Sequence, residues 1–267
     1  MSLKLKCLML ACFCGWTAAA GQTVVHKVAD SFEPGTWAAY EWNKAGGTVR
    51  FVDDAPTGLK RSLEVEARFS GKGFEFFQAA PVTPLVIPGD LKTVTLWFKG
   101  DGRDFPCLMK FEDGWGRDKV DGKNLDWTVG SGKSTTWQKA TFTVPRDWVR
   151  PIRILGVATH NWARQTAQAT VGFWVAQLEV DTDIADVDPT TGEMRSWKPD
   201  PSAKEAKPPR TPLLDVQVSS AEESNVFSKA PPAFTVSLRS WKPGTVAGSL
   251  AWKLLDSEGR LLKDGQR

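Results

Sequence analysis

Alternation of apolar and polar residues with a period of two dominates the chain from residue 22 to about 182. Successive strand side chains point to opposite faces, so this alternation predicts half-buried strands. Lys60 to Phe69 sets Leu63, Val65, Ala67 and Phe69 against Ser62, Glu64, Glu66 and Arg68. Lys92 to Lys99 puts Val94, Leu96 and Phe98 inward and Trp97 on the other side. Trp137 to Val144 groups Gln138, Ala140, Phe142 and Val144 and turns Trp137 away. Arg153 to His160 and Thr170 to Val180 are further strands, and the same parity makes Trp174 a core residue beside Leu178 and Val180. Gly100-Asp101-Gly102, Asp113-Gly114 and Gly130-Ser131-Gly132 mark turns. No amphipathic helix of three turns stands out. Many short strands with Gly-rich turns predict an all-β fold, a jelly-roll β-sandwich over residues 21–182.

The pattern changes at residue 183. Residues 183–212 carry Pro189, Pro199, Pro201, Pro208, Pro209 and Pro212 among charged residues. Such a composition buries too little apolar area to fold alone and is expected to be a semi-stiff linker. Asp181, Asp183, Asp186 and Asp188 alternate there but lack the Gly and terminal Glu of an EF-hand loop. Strands return at Leu213 to Val218, Ala233 to Arg239, Ser249 to Leu255 and Leu261-Leu262. Residues 213–267 are expected to open an immunoglobulin-like sandwich that is incomplete, since a whole one takes about 7 strands. The expectation that follows is the N-terminal piece of a longer protein.

The start of the chain adds a compartment. Lys4 and Lys6, the apolar run Cys7 to Trp16 and the small Ala18-Ala19-Ala20 form the n-region, h-region and cleavage site of a secretory signal peptide, residues 1–20. Lipidation at Cys12 is the alternative. The expected location is secreted or periplasmic, with no transmembrane segment after signal removal. Three of the four Cys lie in this leader. Only Cys107 is left, in an apolar strand pattern, so neither an intramolecular disulfide nor a thiolate metal site is available.

Composition and charge then narrow the function. The net charge of +3 comes without a basic cluster, which excludes nucleic acid as the expected partner. With two histidines, His26 and His160, and neither G-x-S-x-G nor H-E-x-x-H, familiar hydrolase sites are absent. Polysaccharide lyases built on jelly rolls use a Tyr with a His, Arg or Lys; the single Tyr40 lies beside Trp37 and Trp42 and reads as a core or groove aromatic. Thirteen Trp are the chain's main peculiarity. An indole either closes a sandwich core or, exposed, stacks on the C–H face of a sugar.

Two loops and one strand face are candidates for the second role. The first loop runs from Phe111 to Trp127 and holds Asp113, Trp115 and Trp127. The second is His160-Asn161-Trp162-Ala163-Arg164, which sets an aromatic plate beside an amide and a guanidinium. Trp97, facing away from the inter-sheet core, is the third candidate. The candidate carbohydrate-binding residues are therefore Trp97, Asp113, Trp115, Trp127, His160, Asn161, Trp162 and Arg164.

Leu96-Trp97-Phe98-Lys99-Gly100-Asp101-Gly102, Leu108 to Asp113, Trp137 to Pro145, the closing Gly172 to Val180 and the opening Asp30-Ser31-Phe32-Glu33 resemble galactose-binding-like jelly-roll domains, the carbohydrate-binding modules of bacterial glycoside hydrolases. The resemblance covers roughly residues 24–182. It implies a non-catalytic module that binds a polysaccharide or oligosaccharide at the N-terminus of a larger secreted glycoside hydrolase, with a downstream catalytic domain in the same polypeptide. A jelly-roll lyase or hydrolase with its chemistry in this chain, and an envelope protein-interaction module, remain the alternatives. No organic cofactor is implied. Such modules often hold a structural calcium through an Asp pair in the last strand. Here those positions are Ala176 and Gln177, which leaves Asp30, Glu33, Glu179 and Asp181 as oxygen ligands for calcium.

Overall fold

The computed structural model describes residues 23–202, 207–211, 213–220, 234–241, 251–255 and 261–266. The signal-peptide and Cys12 assignments lie outside the described residues. Two compact units emerge, Thr23–Leu213 and a second one that includes Leu214–Arg267.

In the first unit the strands are β1 (Val24–Asp30), β2 (Trp37–Ala39), β3 (Gly46–Val52), β4 (Ser62–Phe69), β5 (Phe76–Pro81), β6 (Leu85–Ile87), β7 (Asp90–Gly100), β8 (Pro106–Glu112), β9 (Lys119–Val120), β10 (Lys123–Asn124), β11 (Asp126–Ser131), β12 (Gln138–Thr143), β13 (Ile152–His160) and β14 (Ala169–Asp183). The helical element described is a single 3-10 turn, Trp162–Arg164. One antiparallel sheet runs β12-β7-β14-β4-β3, with β1 also on β14. The other runs β11-β8-β13-β5-β2, with β6 also on β13. The two six-stranded sheets face each other as a jelly-roll sandwich.

The alternating sequence pattern explains the core. Leu63, Val65, Ala67, Val94, Leu96, Phe173 and Val175 from one sheet meet Phe77, Met109, Phe111, Ile152, Ile154 and Val157 from the other, all buried. Each of these side chains larger than Ala67 contributes roughly 1.5–3 kcal/mol by leaving water. Cys107 is buried among them, and burial pushes its thiol pKa well above the ordinary value.

Each sheet has one long strand that changes neighbours at a bulge. Strand β14 pairs with β4 through Val175 and with β1 from Leu178 onward. Between them lies a bulge in its ladder with β7, and Gln177 sits there at φ 43°. Strand β13 pairs with β6 through Ile154 and with β5 from Val157, again across a bulge, at Gly156. An extra residue reverses the alternation beyond it. This corrects the placement of Trp174. It lies before the bulge, on the face opposite Phe173 and Val175, so it is half-buried outside the core, with the Lys99 ammonium 4.5 Å from its ring centre.

The Pro-rich segment, expected as a solvated linker, packs on the sandwich where it is described. Val187 and Met194 form a bridge and are buried, as is Thr211. The Trp197 indole N–H donates to the Gly114 carbonyl at 3.1 Å, and the Trp115 indole N–H donates to the Lys198 carbonyl at 2.8 Å. Two Trp, not predicted by composition counts, give the segment its anchorage.

The second unit contains two antiparallel pairs. Strand β15 (Leu214–Ser220) pairs with β16 (Phe234–Ser240), and β17 (Ala251–Leu255) with β18 (Leu261–Gln266). The immunoglobulin-like reading of this part stays an expectation.

Candidate functional site

The outer face of the β11-β8-β13-β5-β2 sheet carries a groove of about 700 Å³. Its floor comes from alternate positions of those strands: Lys110 and Leu108 of β8, Ala158 and His160 of β13, Gln78 and Phe76 of β5, and Asp126 of β11. The β9–β10 hairpin supplies Lys119 and Asn124 to one wall. Tyr40, Phe74 and Trp162 supply aromatic rings.

Local structure fixes these rings. Tyr40 begins a turn whose Asn43 side chain clasps the Gln78 backbone, accepting its N–H at 2.8 Å and donating to its carbonyl at 3.1 Å. Phe74 packs edge-on against Trp162 with ring centres 5.4 Å apart and lies 6.1 Å from His160. The Lys44 ammonium sits 5.7 Å from the Phe74 ring centre. Trp162 is 65% exposed, although its neighbours hold it in place. Among the Trp whose burial is described, only Trp42 and Trp162 are exposed, and Trp42 is on the turn that begins at Tyr40.

The polar groups of the groove are largely paired. Lys110 and Asp126 form an ion pair at 3.1 Å. Gln78 donates through Nε2 to the Leu155 carbonyl at 2.9 Å. The His160 Nδ1 accepts the Trp162 backbone N–H at 3.2 Å. Burial of the imidazole lowers the His160 pKa from its ordinary value; Lys110 acts in the same direction, while a hydrogen bond with its own backbone and Asp126 oppose it.

The sequence candidates therefore fall in several places. His160 and Trp162 line the groove together. Asn161 is buried between them, its Oδ1 accepting the Glu75 N–H at 2.8 Å and its Nδ2 donating to the Gly73 carbonyl at 3.0 Å, so it holds the loop. Arg164 pairs with Asp104 at 3.1 Å beside a second hollow of about 480 Å³, which His160 and Trp162 also border. Trp127 is on the inner side, stacked on Phe142 at 5.6 Å, because Asp126 and not Trp127 takes the outward parity of β11. Asp113 is buried and binds the N–H groups of Trp115 and Arg117 and the Arg117 guanidinium. Trp115 is covered on one side by that guanidinium, 4.4 Å from its ring centre. Trp97 lies on the other sheet's outer face under Lys139. Phe74, Phe76, Gln78, Lys110 and Asp126 are groove residues that the sequence left unassigned, and Tyr40, open there between core and groove, lines the groove. Only the even spacing of Phe74, Phe76 and Gln78 hinted at a shared face.

The four calcium candidates each have a protein partner in the structure. The Asp30 carboxylate accepts the Phe32 N–H at 2.6 Å and the Trp37 indole N–H at 3.1 Å. Glu33 lies 3.3 Å from Arg61. Glu179 pairs with Lys139 at 2.9 Å, and Asp181 bonds His26 at 2.8 Å.

No protein family and no curated protein sequence matches the chain. Solved structures do. The likeness is to carbohydrate-binding modules. A family 11 module of a cellulosomal cellulase from Clostridium thermocellum shares 14% identity over 60% of this chain and 95% of that one, with a TM-score of 0.38. A C-terminal family 22 module of a Clostridium thermocellum protein shares 16% over 61% and 96%, with a TM-score of 0.35. A family 29 module from Piromyces equi shares 12% over 60% and 92%, with a TM-score of 0.36.

Proposed function

We propose that the first unit is a non-catalytic carbohydrate-binding module whose site is the groove over β11-β8-β13-β5-β2. The observation that carries this reading is the exposed Trp162, braced by Phe74, beside Tyr40 in a groove fringed by Gln78, Asn124 and Asp126. Rings offer flat faces to the C–H side of a sugar, and amide and carboxylate groups suit its hydroxyls. The cation and anion on the groove floor already neutralise each other, which suits an uncharged chain. In this reading the module is secreted and tethers a catalytic domain of the same polypeptide to its polysaccharide.

Affinity electrophoresis through gels containing xylan, mixed-linkage β-glucan or β-1,4-galactan tests the site. The expected result is retardation by at least one of them, lost on Trp162→Ala and weakened about tenfold on Tyr40→Ala, the loss of a stacking contact of roughly 1.4 kcal/mol. Trp115→Ala, remote from the groove, leaves retardation in place. Full retardation of Trp162→Ala would remove the groove as the site.

One observation favours a second reading. Tyr40, Lys110 and His160, the residue types of a β-eliminating lyase, line the same groove. Two of them are already engaged, however: Lys110 by Asp126 and His160 Nδ1 by the Trp162 amide. We expect no unsaturated products, read by their ultraviolet absorbance, from pectate or alginate. Their appearance, and its loss on Tyr40→Phe, would establish the lyase instead.

A further inference from the structure

The 3-10 turn that carries Trp162 lacks the usual cap. Its N-cap residue, Asn161, makes no side-chain hydrogen bond to the turn, since its amide is committed to Glu75 and Gly73. The first N–H groups of a helical turn have no partner within it and need one from outside. For Trp162 that partner is the His160 Nδ1, two residues back, at 3.2 Å. The imidazole accepts only with a bare Nδ1, so this contact requires the neutral ring with its proton on Nε2. Phe74 packs against both rings, which couples the imidazole to the indole.

We propose that His160 is a positioning residue whose neutral imidazole, by accepting the Trp162 N–H, sets the exposed indole for sugar stacking and makes the groove's affinity fall in acid. This rests on the groove being the carbohydrate site. Protonation converts Nδ1 from acceptor to donor and sets two N–H groups against each other. The charged groups facing the ring are Lys110 from β8 and Asp126 from β11, which are paired with each other; Phe74 before β5 is uncharged, and Arg164 on the turn is bonded to Asp104.

The sign follows from the direction of the His160 shift. Its folded pKa is below the ordinary 6.5, so the neutral ring is the native form. The contribution is complete above that ordinary value and is lost as pH falls through the lower folded one. Affinity is thus flat above about pH 6.5 and declines only as pH falls through the lower folded value.

Two measurements test this. The first needs no sugar. Nitrogen-15 spectra of the full chain at about pH 7.5 should show an unprotonated His160 Nδ1, and the Trp162 amide should shift along the His160 titration curve. A protonated Nδ1 at that pH, or an amide indifferent to the titration, overturns the proposal. The second is retardation by xylan, mixed-linkage β-glucan and β-1,4-galactan at about pH 7.5 and at an acid pH where the spectra show His160 protonated, expected to weaken roughly fivefold to tenfold in acid. Asn at this position offers an Oδ1 acceptor to the N–H two residues on and does not titrate. His160→Asn should therefore lose the acid sensitivity, its retardation at the two pH values being equal whatever affinity it keeps, while His160→Leu should be weak at both. Parallel decline of His160→Asn and parent overturns the proposal. If none of the three polysaccharides retards the protein at either pH, the carbohydrate reading fails and the spectra alone decide the role of His160.

Discussion

At Gly156 the backbone takes φ 148°, and a Cβ there would lie 2.1 Å from the Ala79 carbonyl oxygen. Only glycine accommodates both. The bulge it permits gives Val157 to the core and Ala158 and His160 to the groove. Gly156→Ala should destabilise the fold by about 2–4 kcal/mol, through a strained backbone and a close contact. Urea denaturation measures this, and an unchanged midpoint would mean that the bulge tolerates a side chain. At the same scale the sequence was partly legible. It placed Trp97 and Trp137 outside the core because β7 and β12 alternate without interruption. It misplaced Trp174 because nothing in Ala176-Gln177-Leu178 announces an extra residue, and a one-residue slip reverses every later side chain.

Among elements, the segment after β14 matters most. Its composition reads as solvated chain, and Pro189, Arg195, Lys198, Pro199, Pro201, Lys207 and Arg210 do face water. What binds it is a reciprocal pair of indole–carbonyl hydrogen bonds, Trp197 to Gly114 and Trp115 to Lys198. Both carbonyl partners are backbone, so no residue pattern could disclose them. Trp197→Ala should lower stability by about 2 kcal/mol, from lost packing and one hydrogen bond. A chain ending at residue 182 should show at least the same loss in thermal unfolding. Equal melting of the truncated and full chains would return the segment to the role of a linker. This also accounts for Trp115: its position in a turn-rich loop suggested an open plate, and the segment and Arg117 occupy it instead.

At the scale of the whole molecule, the small net charge and the Lys110–Asp126 pair on the groove floor give the same expectation as each other. Retention should rest on stacking and hydrogen bonds, with little contribution from ion pairs. Raising salt from about 0.05 to about 0.5 M, which cuts the Debye length severalfold, should change polysaccharide retardation less than twofold. Loss of retardation in salt would point to an anionic glycan held by Lys44, Lys110 and Lys119. Among the described residues no helix is long and apolar enough to cross a membrane.

The sequence by itself determined the all-β class, most strand positions and the inner faces, because period-two alternation is a local consequence of strand geometry and survives without knowledge of partners. It also singled out the loop of His160 and Trp162, since an aromatic beside polar groups at a strand end is a local feature. Only the tertiary structure decided which indoles stand in water. That depends on two bulges, on backbone carbonyls contributed from distant segments, and on the meeting of Tyr40, Phe74 and Trp162. Their separation along the chain is wide, and only the order of strands in one sheet brings them to one groove.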